Sequence, residues 1–442
     1  VKTAPYAFQI PAINALASHP HFLLGDDPGL GKTISAIGAL EKVSAYRNLV
    51  VAPASVCPQW REVLNYESPE IAKSTEVISY NKAQEFALHA KKKKLLFDAL
   101  ILDEAHFLKT SESQRTKAIF SDDYGLARRA HFKWALTGTP VLNRPRELYP
   151  IMSTLAGHLI APYNSYNAFA QRWCGAYWEG PNRGMNDRGA SRTEELAQRL
   201  SQFMLRREMA EVLPWLPPQI VTRVPLTLSK EDNEIINEAE REIENRESYI
   251  STVMEDYSQL GDSARLCKAV GLAKINSVVR FVDDLLETVD KIVVFAWHRE
   301  VVEALRDRLS ERGCSPVLHY GGLSDSVKAR NKQTFITDKK CKVFIGNIRS
   351  SGTGLDGLQK VSNNAVFAEL SWTPGEMDQC VGRLKRLGAV GGAVNAYIPH
   401  VPGTIESAIL GSHDGKVPVI KMLVGDGRTA EPVGLEHIFE GF

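Results

Sequence analysis

The sequence predicts an α/β protein of two lobes, each a parallel sheet covered on both faces by helices, with a helical insertion between the lobe cores. Three observations carry that expectation. Short, nearly continuous apolar runs alternate with segments whose apolar residues recur every three or four positions. This grammar occurs in two separate blocks, and strands buried on both faces read as such continuous runs. The chain, at 442 residues, is also long enough to bury more than one core.

In the first block the apolar runs are "HFLL", "NLVVAP", "STEVISY", "LLFDALILDEA" and "FKWALTGTP". Several end in a Gly, Pro, Asp or Thr loop, and the intervening helices show spacings such as Ile34, Ile37 and Leu40. The stretch from Arg144 to Asp290 reads as mostly helical. It holds an aromatic segment, "YNSYNAFAQRWCGAYW", and a Gly/Asn/Arg loop, "GPNRGMNDRGASR". The prolines of "LPWLPPQ" stop a helix and start an extended strand, "IVTRVPL". A charged run, "SKEDNEIINEAEREIENRES", reads as a solvated helix. The second block then supplies "KIVVFAW", "PVLHY", "CKVFIGN", "NAVFAEL" and "AVNAYIP". The expected division is lobe one over 1–225, with the insertion from about 144; lobe two over 226–415, with a helical lead-in at 229–290; and a tail over 416–442 that matches no pattern.

Bulk composition narrows the function. Lys plus Arg number 53 against 52 Asp plus Glu, so net charge alone does not drive binding to nucleic acid. A narrow basic groove stays open, since a few phosphate contacts suffice. The six cysteines are scattered without a C-x-x-C pair, which indicates neither a zinc site nor a disulfide framework. No apolar run approaches membrane-spanning length and the start carries no secretory core, so no membrane partner is expected and an intracellular location is.

The chemistry concentrates in three places. "DDPGLGKT", Asp26 to Thr33, stands between a strand and a helix, where backbone N–H groups can cradle phosphate oxygens and Gly29 and Gly31 permit close approach. Lys32 would reach the phosphates and Thr33 a magnesium ion, although Asp26 occupies the place of the usual first glycine. "ALILDEAH" ends a strand of the same sheet with Asp103 for the metal and Glu104 for an attacking water. On a helix, Gln379, Arg383 and Arg386 of "GEMDQCVGRLKRLG" share one face, and paired guanidiniums suit a transferring phosphoryl group. Trp173, Tyr177 and Trp178 read first as core and second as a base-stacking platform. The run Lys91 to Lys94 reads first as a solvated helix end and second as a DNA patch, and the loop bearing Arg183, Arg188 and Arg192 reads equally as a DNA contact or a polar surface loop.

Taken together, Gln9, "DDPGLGKT", "VVAPASVCPQW", "DEAHFLK", "LTGTP", "SSGTGLDGL" and "QCVGRLKR" resemble the motif series of helicase superfamily two. Within it the chain resembles the Swi/Snf-type DNA translocases, whose phosphate loop commonly opens with aspartate, so Asp26 is a family spelling. "FMLRREMAEVLPWLPP" and "ELSWTPGEMDQ" are similar to further segments of that family. "DEAHFLK" with "FAQRWCGAYW" leans toward its annealing-helicase branch.

The resemblance implies two RecA-like lobes, ATP and Mg²⁺ as cofactors, and roles for individual residues. Gln9 would read the adenine edge, beside Phe8 or Tyr6. Gly354 and Asp356 of "GTGLDGL" join the nucleotide-binding set, and Gln379, Arg383 and Arg386 complete the site from the opposite lobe on closure. Asp356 stands where the family usually has Asn, and Ala389 replaces its terminal glutamine. DNA would be gripped without sequence preference by "PASVCPQW" and "SYNK" on one lobe and "YGGLS" and "IRSSGTG" on the other. The expected function is an ATP-dependent DNA translocase that remodels or reanneals forked, duplex or partly single-stranded DNA as a monomer. A strand-separating DNA or RNA helicase and an ATP-gated clamp with little turnover are the alternatives.

Overall fold

The computed structural model describes residues 1–141, 143–180, 184–216, 218–250, 258–351, 355–386 and 388–424. The chain divides into two compact units. The first takes residues 1–27 and 31–208, with Asp414 onward; the second takes 28–30 and 209–413.

The first unit is built on a six-stranded parallel sheet. Its strands are β1 (His21–Leu24), β2 (Asn48–Ala52), β3 (Thr75–Ser79), β4 (Phe97–Asp103) and β5 (Ala130–Leu136), with a hairpin of β6 (Tyr177–Gly180) and β7 (Gly184–Asn186) standing apart, and finally β8 (Met204–Leu205). The spatial order is β3-β2-β4-β5-β1-β8. Successive residues of β4 serve opposite faces. Leu100 and Leu102 pack with Phe169 and Trp173, whereas Ala99 and Ile101 pack with Ile37, Leu40 and Trp60. Both faces are therefore dry, and each buried leucine or isoleucine is worth about 1.5–3 kcal/mol relative to exposure.

The second unit repeats the architecture with β9 (Gln219–Pro225), β10 (Ile292–Ala296), β11 (Val317–His319), β12 (Val343–Asn347), β13 (Asn364–Phe367) and β14 (Val394–His400), in the order β11-β12-β10-β13-β14-β9. All ten central apolar runs read from the sequence are strands here, and both sheets are parallel as expected.

Four differences have physical reasons. The sequence reading closed the first lobe at 225, but Gln219 to Pro225 instead pair along seven residues with β14 of the second sheet. The insertion is not wholly helical: after the helix Tyr166–Trp173 the chain turns at Gly175 (φ 61°) into the antiparallel hairpin β6–β7. The charged helix Lys230–Ile250 is not solvated all round, since Ile236 packs with Val270, Ala273 and Val401. Finally, the unmatched tail begins inside a helix, Ile405–Val424, and its residues 425–442 lie outside the described residues.

Candidate active site

In a parallel sheet every strand delivers its carboxyl end to the same edge, and in open α/β sheets that edge is where ligands bind. In the first unit this edge collects the loops after β1, β2, β3, β4 and β5. They hold the glycine-rich loop, the helix Cys57–Glu67, the turn Tyr80–Lys82, the Asp103–Glu104 pair and Thr137. The motifs far apart in sequence are thereby neighbours.

The phosphate loop leads into the helix Lys32–Lys42, and Gly31, with φ 75°, caps it in the left-handed region. Gly29 is left-handed as well, at φ 95°. A Cβ at Gly31 would strike the side-chain amide nitrogen of Gln9, so the loop lies directly against the residue expected to read adenine. Gln9 is buried at the start of the helix Gln9–Ser18, and its side-chain oxygen accepts the N–H of Tyr6 at 2.9 Å. Lys32 Nζ donates to the carbonyls of Asp26 at 2.6 Å and Asp27 at 3.2 Å. Burial lowers its pKa, against the opposing pull of Glu104, Asp26, Asp103 and Asp27. Thr33 sits in the first turn of the same helix.

Asp103 closes β4 and is buried. Burial, then repulsion from Glu104, raises its carboxyl to about 6, while the Trp60 indole, the Lys32 charge and the Glu104 N–H work the other way. The Trp60 indole N–H donates to Oδ2 at 2.7 Å, and the Glu104 N–H donates to Oδ1 at 3.0 Å. Glu104 adopts φ 50°, a left-handed geometry uncommon for a side chain of this size. Its carboxylate lies 3.3 Å from His106 Nδ1, which in turn lies 3.1 Å from the Thr137 hydroxyl. The sequence pointed to Asp103 and Glu104. It missed Trp60, His106, Thr137 and Tyr80, whose hydroxyl donates to the Asp103 carbonyl at 2.9 Å. All four stand inside quoted motifs, which was the available signal.

The donor chemistry suits a hard divalent cation, which prefers oxygen ligands and tolerates few protein carboxylates. Thr33 offers a hydroxyl and Asp103 a carboxylate, and the loop leads directly into the N-terminus of the helix Lys32–Lys42.

In the second unit Gln379 is buried on the helix Pro374–Val381. That helix ends at Val381, so Arg383 and Arg386 ride on the turns after it rather than on a continuous helical face. Arg383 is buried, and its Nη1 donates to the Leu355 carbonyl at 3.5 Å. Arg386 pairs with Asp356 at 3.0 Å. Burial alone would raise the Asp356 carboxyl, but Arg386, Gln359 and the Gly357 N–H together hold it below the usual range. The aspartate in place of the family's asparagine thus gains an ion pair. Gly354 lies outside the described residues.

The other surface candidates divide. Trp173 is fully buried, whereas Tyr177 and Trp178 are 60% and 66% exposed on β6. Lys91 pairs with Asp123 at 2.6 Å on an exposed face. Arg188 is exposed, Arg192 precedes a helix at φ 49°, and Arg183 lies outside the described residues. No helix among the described residues is long and apolar enough to cross a membrane.

Residues 70–273 match the SNF2-related domain, and residues 273–388 match the helicase conserved C-terminal domain. The chain is 29% identical over 436 residues to the human DNA annealing helicase and endonuclease ZRANB3, covering 92% of this chain and 39% of that protein. It is 29% identical over 440 residues to the Xenopus tropicalis SWI/SNF-related matrix-associated actin-dependent regulator of chromatin subfamily A-like protein 1, covering 93% of this chain and 44% of that one. The chain therefore spans about two fifths of the length of these relatives. A solved structure, the Sulfolobus solfataricus SWI2/SNF2 ATPase core in complex with dsDNA, aligns with TM-score 0.43 and 21% identity over 96% of this chain and 94% of that one.

Proposed function

Because this chain is an SNF2-related ATPase with a helicase C-terminal domain, we propose that it couples ATP hydrolysis to movement along DNA and thereby remodels or reanneals branched DNA. The observation that carries the ATPase half is the carboxyl edge of the first sheet, where Lys32, Asp103 and Glu104 converge with Gln9 and the left-handed glycines. The annealing helicase among the relatives supports the branched-DNA half.

The chain's residues divide the labour. Gln9, whose side-chain amide nitrogen lies against Gly31, would read the adenine edge. The N–H groups at the start of the helix Lys32–Lys42 and the Lys32 ammonium bind phosphate oxygens, trading the carbonyls of Asp26 and Asp27 for the anion. Thr33 and Asp103 would hold a magnesium ion, which supplies positive charge against the phosphates. Trp60 fixes the Asp103 carboxylate in one orientation. Glu104 orients the attacking water and accepts its proton, with His106, lying between its carboxylate and the Thr137 hydroxyl, positioning it. The motif resemblance gives Gln379, Arg383 and Arg386 the task of stabilising charge on the transferring phosphoryl group. Loops after the strands of both sheets, rich in Ser, Thr and backbone N–H, hold the DNA backbone without reading bases.

Steady-state ATP hydrolysis is the test, measured without nucleic acid and with single-stranded DNA, duplex DNA, a fork and RNA, beside Lys32→Ala. Fork or duplex DNA should stimulate the rate most strongly, and Lys32→Ala should abolish it. Equal rates in all five conditions, or a rate that survives in Lys32→Ala, would sink the proposal. Reannealing of a bubble by the wild type, without unwinding of a blunt duplex, separates it from a strand-separating helicase.

A further inference from the structure

The resemblance flagged "LRR" without giving its arginines any task, yet both bear on the segment that opens the phosphate loop. Arg206 and Arg207 directly follow β8. Arg207 meets the Asp26 carboxylate with two prongs: Nε donates to Oδ1 at 3.1 Å and Nη2 to Oδ2. Its remaining nitrogen, Nη1, donates to the carbonyl of Phe8, in the turn that carries Gln9. Arg206 donates from Nη2 to Asp27 Oδ1 at 2.9 Å, and from Nη1 to the carbonyls of Gly25 at 2.7 Å and Gly138 at 3.2 Å. The backbone closes the arrangement, with the Gly25 N–H donating to the Leu205 carbonyl at 2.8 Å and the Asp27 N–H to the Arg207 carbonyl at 3.1 Å.

Two carboxylates at the mouth of an anion-binding loop are a liability by themselves. They repel the ligand, and Asp26, at 1% exposure, is also removed from water. A bidentate guanidinium neutralises such a carboxylate and fixes its plane, which a lysine cannot do. The same two arginines reach three separate loops: the turn before Gln9, the run Gly25–Asp27, and the loop at Gly138.

We propose that Arg206 and Arg207 are positioning residues that clasp the adenine-side turn, the phosphate loop and the Thr137–Gly138 loop together, so that base and phosphates are gripped in one register. The clasp rests on the ATP-binding reading of this site. Asp26, in place of the first glycine, is its anchor. Loss of the clasp loosens the Gln9 turn relative to the phosphate loop, so discrimination between bases falls before phosphate binding does.

The test uses the full chain with Arg206→Lys, Arg207→Lys and Asp26→Asn, each of which keeps charge or volume, beside Gln9→Ala and Lys32→Ala. Hydrogen exchange of the nucleotide-free protein is measured at the Gly25 and Asp27 amides, together with the ratio of kcat/KM for ATP over GTP. That ratio does not depend on the fraction of folded protein. The clasp predicts exchange faster by about tenfold at those amides in the arginine variants, and an ATP-over-GTP ratio lowered by about fivefold or more in Arg207→Lys and Asp26→Asn. Unchanged exchange in both arginine variants overturns it, whatever the enzyme does. So does an unchanged ratio in Arg207→Lys when Gln9→Ala collapses the ratio. If exchange rises but neither Gln9→Ala nor Lys32→Ala has an effect, the ATP reading of the site fails while the loop anchor stands.

Discussion

At the residue scale, the site is set by partners that share no neighbourhood in sequence. Trp60 holds Asp103 through one indole N–H, and hydrogen bonds to charged groups contribute about 1.5–3 kcal/mol. Trp60→Phe keeps the ring and loses the donor, so kcat for ATP should fall about tenfold with little change in melting temperature. Rates and thermal melts of the same preparation check this. Glu104→Gln should lower kcat by about a hundredfold or more with nucleotide affinity retained, read by single-turnover hydrolysis and fluorescent-nucleotide binding. A different residue sets a pH limit. His319 is buried at the end of β11, and burial, helped by the charges of Lys328 and Lys332, lowers its pKa to about 4. The folded form holds the imidazole neutral while the unfolded chain protonates it near 6.5. Stability from this group is therefore full above pH 6.5, is lost as pH falls from there to about 4, and changes no further below. The loss should amount to about 3 kcal/mol, and His319→Gln should flatten it in urea titrations across that window.

Elements explain what the sequence could and could not disclose. The central strands β2, β4, β10, β12 and β13 were legible because both of their faces are nearly dry, which leaves a mostly apolar run. By contrast β8 has two residues, shorter than any period can register, and it exists because Leu23 and Leu24 offer it a partner. The hairpin β6–β7 escaped notice because its aromatics look like core. Of Trp173, Tyr177 and Trp178 only Trp173, which precedes the hairpin, is core, packed at 4.8 Å from Phe169, while Tyr177 and Trp178 face solvent. Hence Trp173→Ala should cost about 3–5 kcal/mol, and Trp178→Ala should stay within about 0.5 kcal/mol, both read from urea unfolding. The Asp103–Glu104 pair was legible as a candidate because a strand end and a D-E pair coincide. Their supports were not, since 43 positions separate Trp60 from Asp103 and only the parallel sheet brings them together.

For the whole molecule, a net charge of +1 leaves no broad field to draw DNA from a distance. Affinity should then come from local phosphate contacts, with a log–log salt slope between about −2 and −5, measured by fluorescence anisotropy on a labelled fork. A steeper slope would mean a basic surface that the balanced composition hides.

The strand β9 bears on how the gene can be divided. One continuous stretch of chain, Met204 to Pro225, supplies one edge strand of each sheet, β8 to the first and β9 to the second. A fragment of the second half started at residue 226 would leave open the flank of β14 that pairs in register with seven residues of β9, a template for pairing between molecules. A fragment started at 209 keeps that flank sealed. Expressed side by side, the shorter piece should sediment as aggregates and the longer one as a discrete species, so the usable cut in this chain lies upstream of its double proline.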